Sequence, residues 1–159
     1  MAAAAHIFPA FTQSMGTHAV NLSSDTLKVG LVSGTFNWVS ATEAYSTVAQ
    51  FIANAGSGGG GALTEVSYSG ASPASRITLS SVTYTESALV STLTCANPSW
   101  TTATWTADYA FFYDYTAGGS SDTAGLMICY WDFGGAQSIS GQTFTLTINA
   151  SGLVTWTSS

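Results

Sequence analysis

Few residues of this chain could take part in proton transfer or metal binding, and three of them are aspartates beside aromatic runs. Asp108, Asp114 and Asp132 lie among Tyr, Trp and Phe residues. If Asp114 and Asp132 were neighbours, their carboxyl groups could act as an acid–base pair or bind calcium. The sequence has no calcium-loop spacing, however, and aspartates at strand ends and turns commonly cap backbone N–H groups. We therefore expect capping roles, with no metal and no cofactor.

Residues for nucleophilic catalysis are equally scarce. Both histidines, His6 and His18, lie near the N-terminus, and the chain has no G-x-S-x-G segment typical of hydrolases. Cys95 and Cys129 lie in apolar segments, without the CxxC or Cys/His cluster that indicates zinc. We interpret them as buried thiols, and a disulfide between them stays open because spacing alone does not decide it. These observations predict that the protein is not an enzyme.

Charge is the most unusual property of the composition. Of 159 residues only Lys28 and Arg76 are basic, against eight carboxylates, so the net charge is −6. Charged residues make up 6% of the chain, where about a quarter is usual. Nucleic-acid binding needs several cations, and no apolar run approaches the ~20 residues of a membrane span or forms a secretory signal. We expect neither a nucleic-acid partner nor a membrane partner, but a structural or assembly subunit that contacts other proteins.

The N-terminal third of the sequence contains two candidate helices. Residues 1–24 predict an arm with a short helix, because Pro9 suits a first helical position and Gly16 a helix end. Residues 41–55 predict a short amphipathic helix or a looser helical loop, which a capping-box pattern opens at Ser40-Ala-Thr-Glu43. The Gly-rich stretch at 56–61 is interpreted as a surface loop, since a phosphate-binding loop would need a Lys that is absent here.

The remaining chain alternates with the period of β-strands. Thr26–Ser33 predicts a strand with one buried face. Thr104–Tyr115 and Leu126–Phe133 are apolar on both faces and predict central strands, and Gly134-Gly135 is predicted to end the second. The connections are too short for crossover helices. Residues 25–159 are thus predicted to form an all-β domain: an antiparallel β-sandwich of seven or eight strands, immunoglobulin-like or jelly-roll-like, with one or two short helices.

The aromatic residues allow two interpretations. Five Trp and seven Tyr could pack the core and a protein interface, which is how aromatic residues contribute most to small β domains. They could also form a platform on which a sugar stacks. Trp38 and Trp100 are the candidate glycan contacts in that second interpretation.

Several segments, taken in order, resemble a family of small virion proteins from tailed bacteriophages. The segments are Asp25-Thr-Leu-Lys-Val-Gly-Leu-Val32 near the start, and Tyr130-Trp-Asp-Phe-Gly134 and Phe144-Thr-Leu-Thr-Ile-Asn-Ala-Ser-Gly152 near the end. The resemblance covers roughly residues 7–156. The chain departs from the family pattern in its low charge and in the Gly-rich stretch at 56–61. The motifs are strand and turn residues, so the resemblance implies a fold and transfers no catalytic residue.

What the resemblance implies is a structural protein of the phage particle, made in the host cytoplasm and located on the virion surface. We expect a capsid decoration, or cement, protein that bridges subunits of the major capsid protein and associates with copies of itself. The alternative is a tail-associated, adhesin-like module that binds a host-surface glycan. The apolar residues Ile7, Phe8, Phe11 and Met15 are the candidate capsid-docking segment. The competing interpretation is that these residues close one end of the sandwich.

Overall fold

A computed structural model of the chain describes residues 4–17, 19–36, 45–54 and 63–157. The helices among these residues are α1 (Pro9–Gly16) and α2 (Val48–Asn54). The strands are β1 (Ala4–Ile7), β2 (Leu27–Ser33), β3 (Thr64–Glu65), β4 (Ile77–Thr78), β5 (Thr83–Ser87), β6 (Val90–Thr94), β7 (Ser99–Asp114), β8 (Leu126–Thr145) and β9 (Val154–Thr157). The predicted all-β sandwich with short helices is confirmed, with nine strands in the described part of the chain instead of seven or eight.

A long antiparallel hairpin of β7 and β8 is the centre of the fold. It belongs to a six-stranded sheet with the order β1-β8-β7-β2-β3, in which β4 also pairs with β2. A second sheet has the order β5-β6-β9. Because β7 and β8 each have a neighbour on both sides, they are central strands, as their apolar residues on both faces predict.

The six-stranded sheet has a hydrophobic cluster on each of its faces. One face packs on the three-stranded sheet, where Phe112 belongs to the same buried cluster as Leu93 and Val154. Phe111, on the opposite face, packs with Phe51 of α2 in a second cluster. Each cluster is fully removed from water at its centre, which is the main stabilising contribution to such a fold.

Strand β8 does not end where the sequence predicts. Pairing with β7 is interrupted after Asp132 and resumes at Gln137, so the residues between them form a bulge. Gly134 and Gly135 have φ angles of 69° and 138°, in a region that residues with a side chain rarely adopt. The prediction that the glycine pair ends the strand is therefore wrong: the pair bends the strand and lets it continue to Thr145.

The N-terminal segment is joined to the main sheet, because β1 pairs with β8. Helix α1 begins at Pro9 and ends at Gly16, as predicted. Helix α2 begins later than predicted, at Val48, where Gln50 N–H donates to Thr47 Oγ1 (3.4 Å) and Thr47 N–H donates to Gln50 Oε1 (3.3 Å). This reciprocal pair is itself a capping box. Residues 40–43 and the Gly-rich loop at 56–61 lie outside the described residues.

Within the described ranges, neither helix has the length and apolar character needed to cross a bilayer.

Candidate functional site

The predicted docking residues lie mostly inside the domain. Phe8 and Phe11 are fully buried, and the Phe11 ring packs 5.7 Å from the ring of Trp156. Ile7 and Met15 are partly buried against the main core cluster. This corrects the expectation that the Phe8 and Phe11 side chains face a partner. Phe11 packs between the two sheets, as the competing interpretation expects, whereas Phe8 packs against Phe51 of α2 on the other face of the main sheet.

The predicted glycan contact at Trp100 is also wrong. Its side chain is completely buried, and its indole Nε1–H donates to the carbonyl of Ser75 (2.9 Å). The ring packs edge-on against Trp105 at 5.9 Å. A fully enclosed ring has no face on which a sugar can stack. Trp38 lies outside the described residues.

The three aspartates act as backbone caps, as expected. Each accepts a hydrogen bond from a nearby or facing backbone N–H: Asp108 from Gly34 (2.9 Å), Asp114 from Ala117 (2.8 Å) and Asp132 from Gly134 (2.7 Å). Asp132 pairs across the sheet with Tyr109. Asp114 and Asp132 are thus five strand residues apart, about 16 Å. They do not form a carboxylate pair.

Asp114 instead has a different carboxylate neighbour, which the sequence analysis missed. Asp114 is completely buried, and this burial raises its pKa to about 7. A hydrogen bond and charge repulsion from Asp25 raise the pKa further, while the N–H groups of Ala117 and Thr116 act in the opposite direction. The β2–β7 pairing brings the two together, because Leu27 lies opposite Asp114. Asp114 can therefore hold a proton near neutral pH, but its buried carboxyl group is inaccessible to a substrate.

The two basic residues of the chain are both held in ion pairs. Arg76 binds Glu65 through two hydrogen bonds of 2.7 Å and lies 5.1 Å from the ring of Phe111. Lys28 binds Asp122 at 2.9 Å. Burial acts to raise the pKa of Asp122, but hydrogen bonds from Tyr113 and Lys28 outweigh it and lower the pKa. This cluster connects the segments that contain Arg76 and Asp122 to the face of β7 that carries Phe111. It leaves neither cation free to bind phosphate.

The remaining reactive groups are also held in packed surroundings. Cys95 and Cys129 are free and buried, which confirms the interpretation as thiols. Burial raises the pKa of Cys95 to about 11, and burial together with the charge of Cys95 raises that of Cys129. His6 stacks on Tyr130 with the ring centroids 4.8 Å apart, and His18 lies outside the described residues.

The three-stranded sheet exposes a face without a single charged side chain. Leu93 of β6 and Val154 of β9 point into the core, so their strand neighbours point outward. In register across the sheet, the outward residues form what we call the threonine face: Thr83, Thr85, Ser87, Val90, Thr92, Thr94, Thr155 and Thr157. The turn between β5 and β6 adds the most exposed large apolar residue of the described chain, Leu89, which is 62% exposed.

Among the described residues, no group of three or more His, Cys, Asp or Glu side chains is arranged to hold a metal ion. Comparison of the chain with protein-family models, with curated proteins and with solved structures finds no match.

Proposed function

We propose that the protein is a structural, non-catalytic component of a tailed-phage virion, and specifically a capsid decoration protein. Its partners are the major capsid protein and further copies of itself. The observation that carries this proposal is the threonine face, an exposed and uncharged surface on a regular sheet. The resemblance to small virion proteins supports the same conclusion.

The threonine face suits a protein contact because little charge must be removed from water there. Interface cores are depleted in Lys, Glu and Asp, since burying an unpaired charge is costly. Short hydroxyl side chains lose little conformational freedom on contact and can still donate and accept hydrogen bonds. The exposed Leu89 and Val90 at one end of the face supply apolar area that a partner can cover.

Stabilisation of a capsid follows from mass action. A protein that binds the assembled shell and not its separate subunits lowers the free energy of the shell. Copies arranged on a symmetric lattice repeat the same contact many times, so each single contact can be weak. The paired Lys28 and Arg76 fit this role, because such contacts require no free cation.

Quantitative mass spectrometry of purified particles tests the location. A decoration protein is present in hundreds of copies for each particle, in proportion to the major capsid protein. A handful of copies would place the protein at the tail and overturn the decoration role.

A charge substitution on the threonine face tests the surface. We expect Thr85→Lys to reduce incorporation into particles, because the new charge would have to be buried in the contact. Thr143→Lys is the matched control: Thr143 is an equally exposed strand residue on β8, outside the threonine face. Equal incorporation of both variants and the parent protein would refute the assignment of this surface.

A further inference from the structure

A cleft between the two sheets forms a second surface with a distinct chemical character. It has a volume of about 710 Å³ and lies between β1 and β8 on one side and the segment that leads into β9 on the other. This volume is within the ~300–1,000 Å³ usual for sites that bind small molecules. We propose that this cleft binds a neutral carbohydrate.

The lining of the cleft combines the three side-chain types that carbohydrate recognition needs. Trp131, Phe133 and Phe144 supply aromatic rings, and Phe133 is only partly buried, so that part of its surface is open. Gln137 and Asn149 supply amides, and Thr147 is among the hydroxyl residues. Sugar rings present C–H groups that pack on aromatic faces and hydroxyl groups that pair with amides and hydroxyls.

The polar groups of the cleft have hydrogen-bonding capacity for a ligand. Gln137 uses its Nε2 to donate to the carbonyl of Gly135 (3.0 Å), which leaves its Oε1 as an acceptor. Asn149 uses its Oδ1 to accept from Ser151 N–H (2.9 Å), which leaves its Nδ2 as a donor. The cleft thus offers an acceptor and a donor, as a sugar hydroxyl requires.

Trp131 lies in the wall of the cleft and supplies a spectroscopic reporter. Its side chain is 7% exposed, and its indole Nε1–H is buried without an acceptor among the described residues. Because this N–H lies beneath the surface, its signal reports a ligand in the cleft through the change in its surroundings and not through a direct hydrogen bond.

The lack of charge in the lining of the cleft determines which class of carbohydrate can bind. Every residue that lines the cleft is uncharged. An acidic sugar would lose its hydration without gaining a cation, because Lys28 and Arg76 are both engaged in ion pairs elsewhere. An uncharged oligosaccharide has no such penalty.

Nuclear magnetic resonance can follow the Trp131 indole N–H directly, with its signal assigned by a Trp131→Phe variant. The probes are maltotriose, cellotriose, tri-N-acetylglucosamine and a galactose trisaccharide, with trigalacturonate as the acidic control. We expect one neutral probe to shift the Trp131 signal with a Kd below about 10 mM and trigalacturonate to have no effect. No shift with any neutral probe, or stronger binding of the acidic probe, would overturn the proposal.

Two variants separate specific binding from a structural effect. Phe133→Leu keeps the apolar volume but removes the flat ring, and we expect about tenfold weaker binding. Thr147→Val keeps the shape and removes one exposed hydroxyl, so it leaves the fold intact and weakens binding several-fold. Tyr115→Leu, a partly buried aromatic outside the cleft, is the matched control with unchanged binding. Full affinity in both cleft variants would refute the site. A shift of the Trp131 signal on addition of an extended peptide, with no shift on addition of any sugar, would also refute it.

The cleft shares Thr155 with the threonine face, whereas Phe133 and Thr147, the residues changed here, lie outside that face. Phe133→Leu should leave incorporation into particles unchanged. Loss of sugar binding together with normal incorporation therefore separates the two proposals.

Discussion

Replacing Asp114 with Asn removes the titratable proton of Asp114 and keeps the shape of the side chain. The amide oxygen can still accept from Ala117 N–H, as Oδ1 does now at 2.8 Å. The amide N–H₂ is a donor that can face the neighbouring Asp25. The variant therefore resembles the protonated form of the native pair at every pH.

The sign of the pH dependence follows from the raised pKa. The folded protein keeps the Asp114 proton up to about pH 7, whereas the unfolded chain releases it near the ordinary value of 3.8. The folded state binds more protons between these values, so this contribution to stability is complete below pH 3.8 and is lost as the pH rises through 7. The full difference corresponds to ~4 kcal/mol. The part that is lost between pH 5 and 8 is about 2–3 kcal/mol, because two pH units separate pH 5 from the pKa of the folded state.

Urea unfolding at pH 5, 6, 7 and 8 measures the effect as the free energy of unfolding. We expect the native protein to lose about 2–3 kcal/mol relative to Asp114→Asn between pH 5 and 8. The variant should be the more stable protein at pH 8. Asp122→Asn is the control: the pKa of Asp122 is lowered, so its contribution is lost only in acid and the slope above pH 5 should not change. The reasoning would be refuted if the stability of the native protein relative to Asp114→Asn stayed constant or increased from pH 5 to pH 8.

Three further predictions concern packing and reactivity. Arg76→Met should lower the free energy of unfolding by about 2 kcal/mol, because Glu65 loses its bidentate partner. The double variant with Glu65→Gln should recover part of this loss, as measured by urea unfolding. Gly30→Ala should cost about 1–3 kcal/mol, because a Cβ there would overlap the Phe111 ring. Adding Phe111→Leu should partly restore thermal stability. Equal melting temperatures for Gly30→Ala and the native protein would contradict the contact. Cys95 and Cys129 should react with a thiol reagent at pH 8 only in denaturant, and rapid labelling of the native protein would contradict their burial.

Periodicity predicts the strands of this chain well because each strand is decided by its own side chains. Thr104–Tyr115 reads as a central strand from its two apolar faces, and the structure places it there as β7. The pairing of β1 with β8 could not be predicted, because Ala5 lies opposite Trp131, more than a hundred residues away in the chain. The first strand, Ala4–Ile7, has little apolar pattern of its own.

The candidate site is harder to predict than the strands because exposure depends on long-range packing. Phe8 and Phe11 have the same spacing whether they face a partner or a core. Only their packing, Phe8 on Phe51 and Phe11 on Trp156, decides between the two. Trp100 is aromatic in the sequence and enclosed in the fold. The threonine face likewise depends on the register of β5, β6 and β9, which brings Thr85, Thr92 and Thr155 into one row.

The distribution of charge connects the fold with the proposed assembly. Each copy carries a net charge of −6, so copies brought together in the proposed assembly would repel one another at a distance. At physiological ionic strength this repulsion is screened over ~8 Å, and it matters only where carboxylates approach closely. Neither cation can compensate at a contact, because Lys28 and Arg76 bind Asp122 and Glu65 within the same chain. Contact through the uncharged threonine face avoids the problem, since no carboxylate of that surface has to be neutralised.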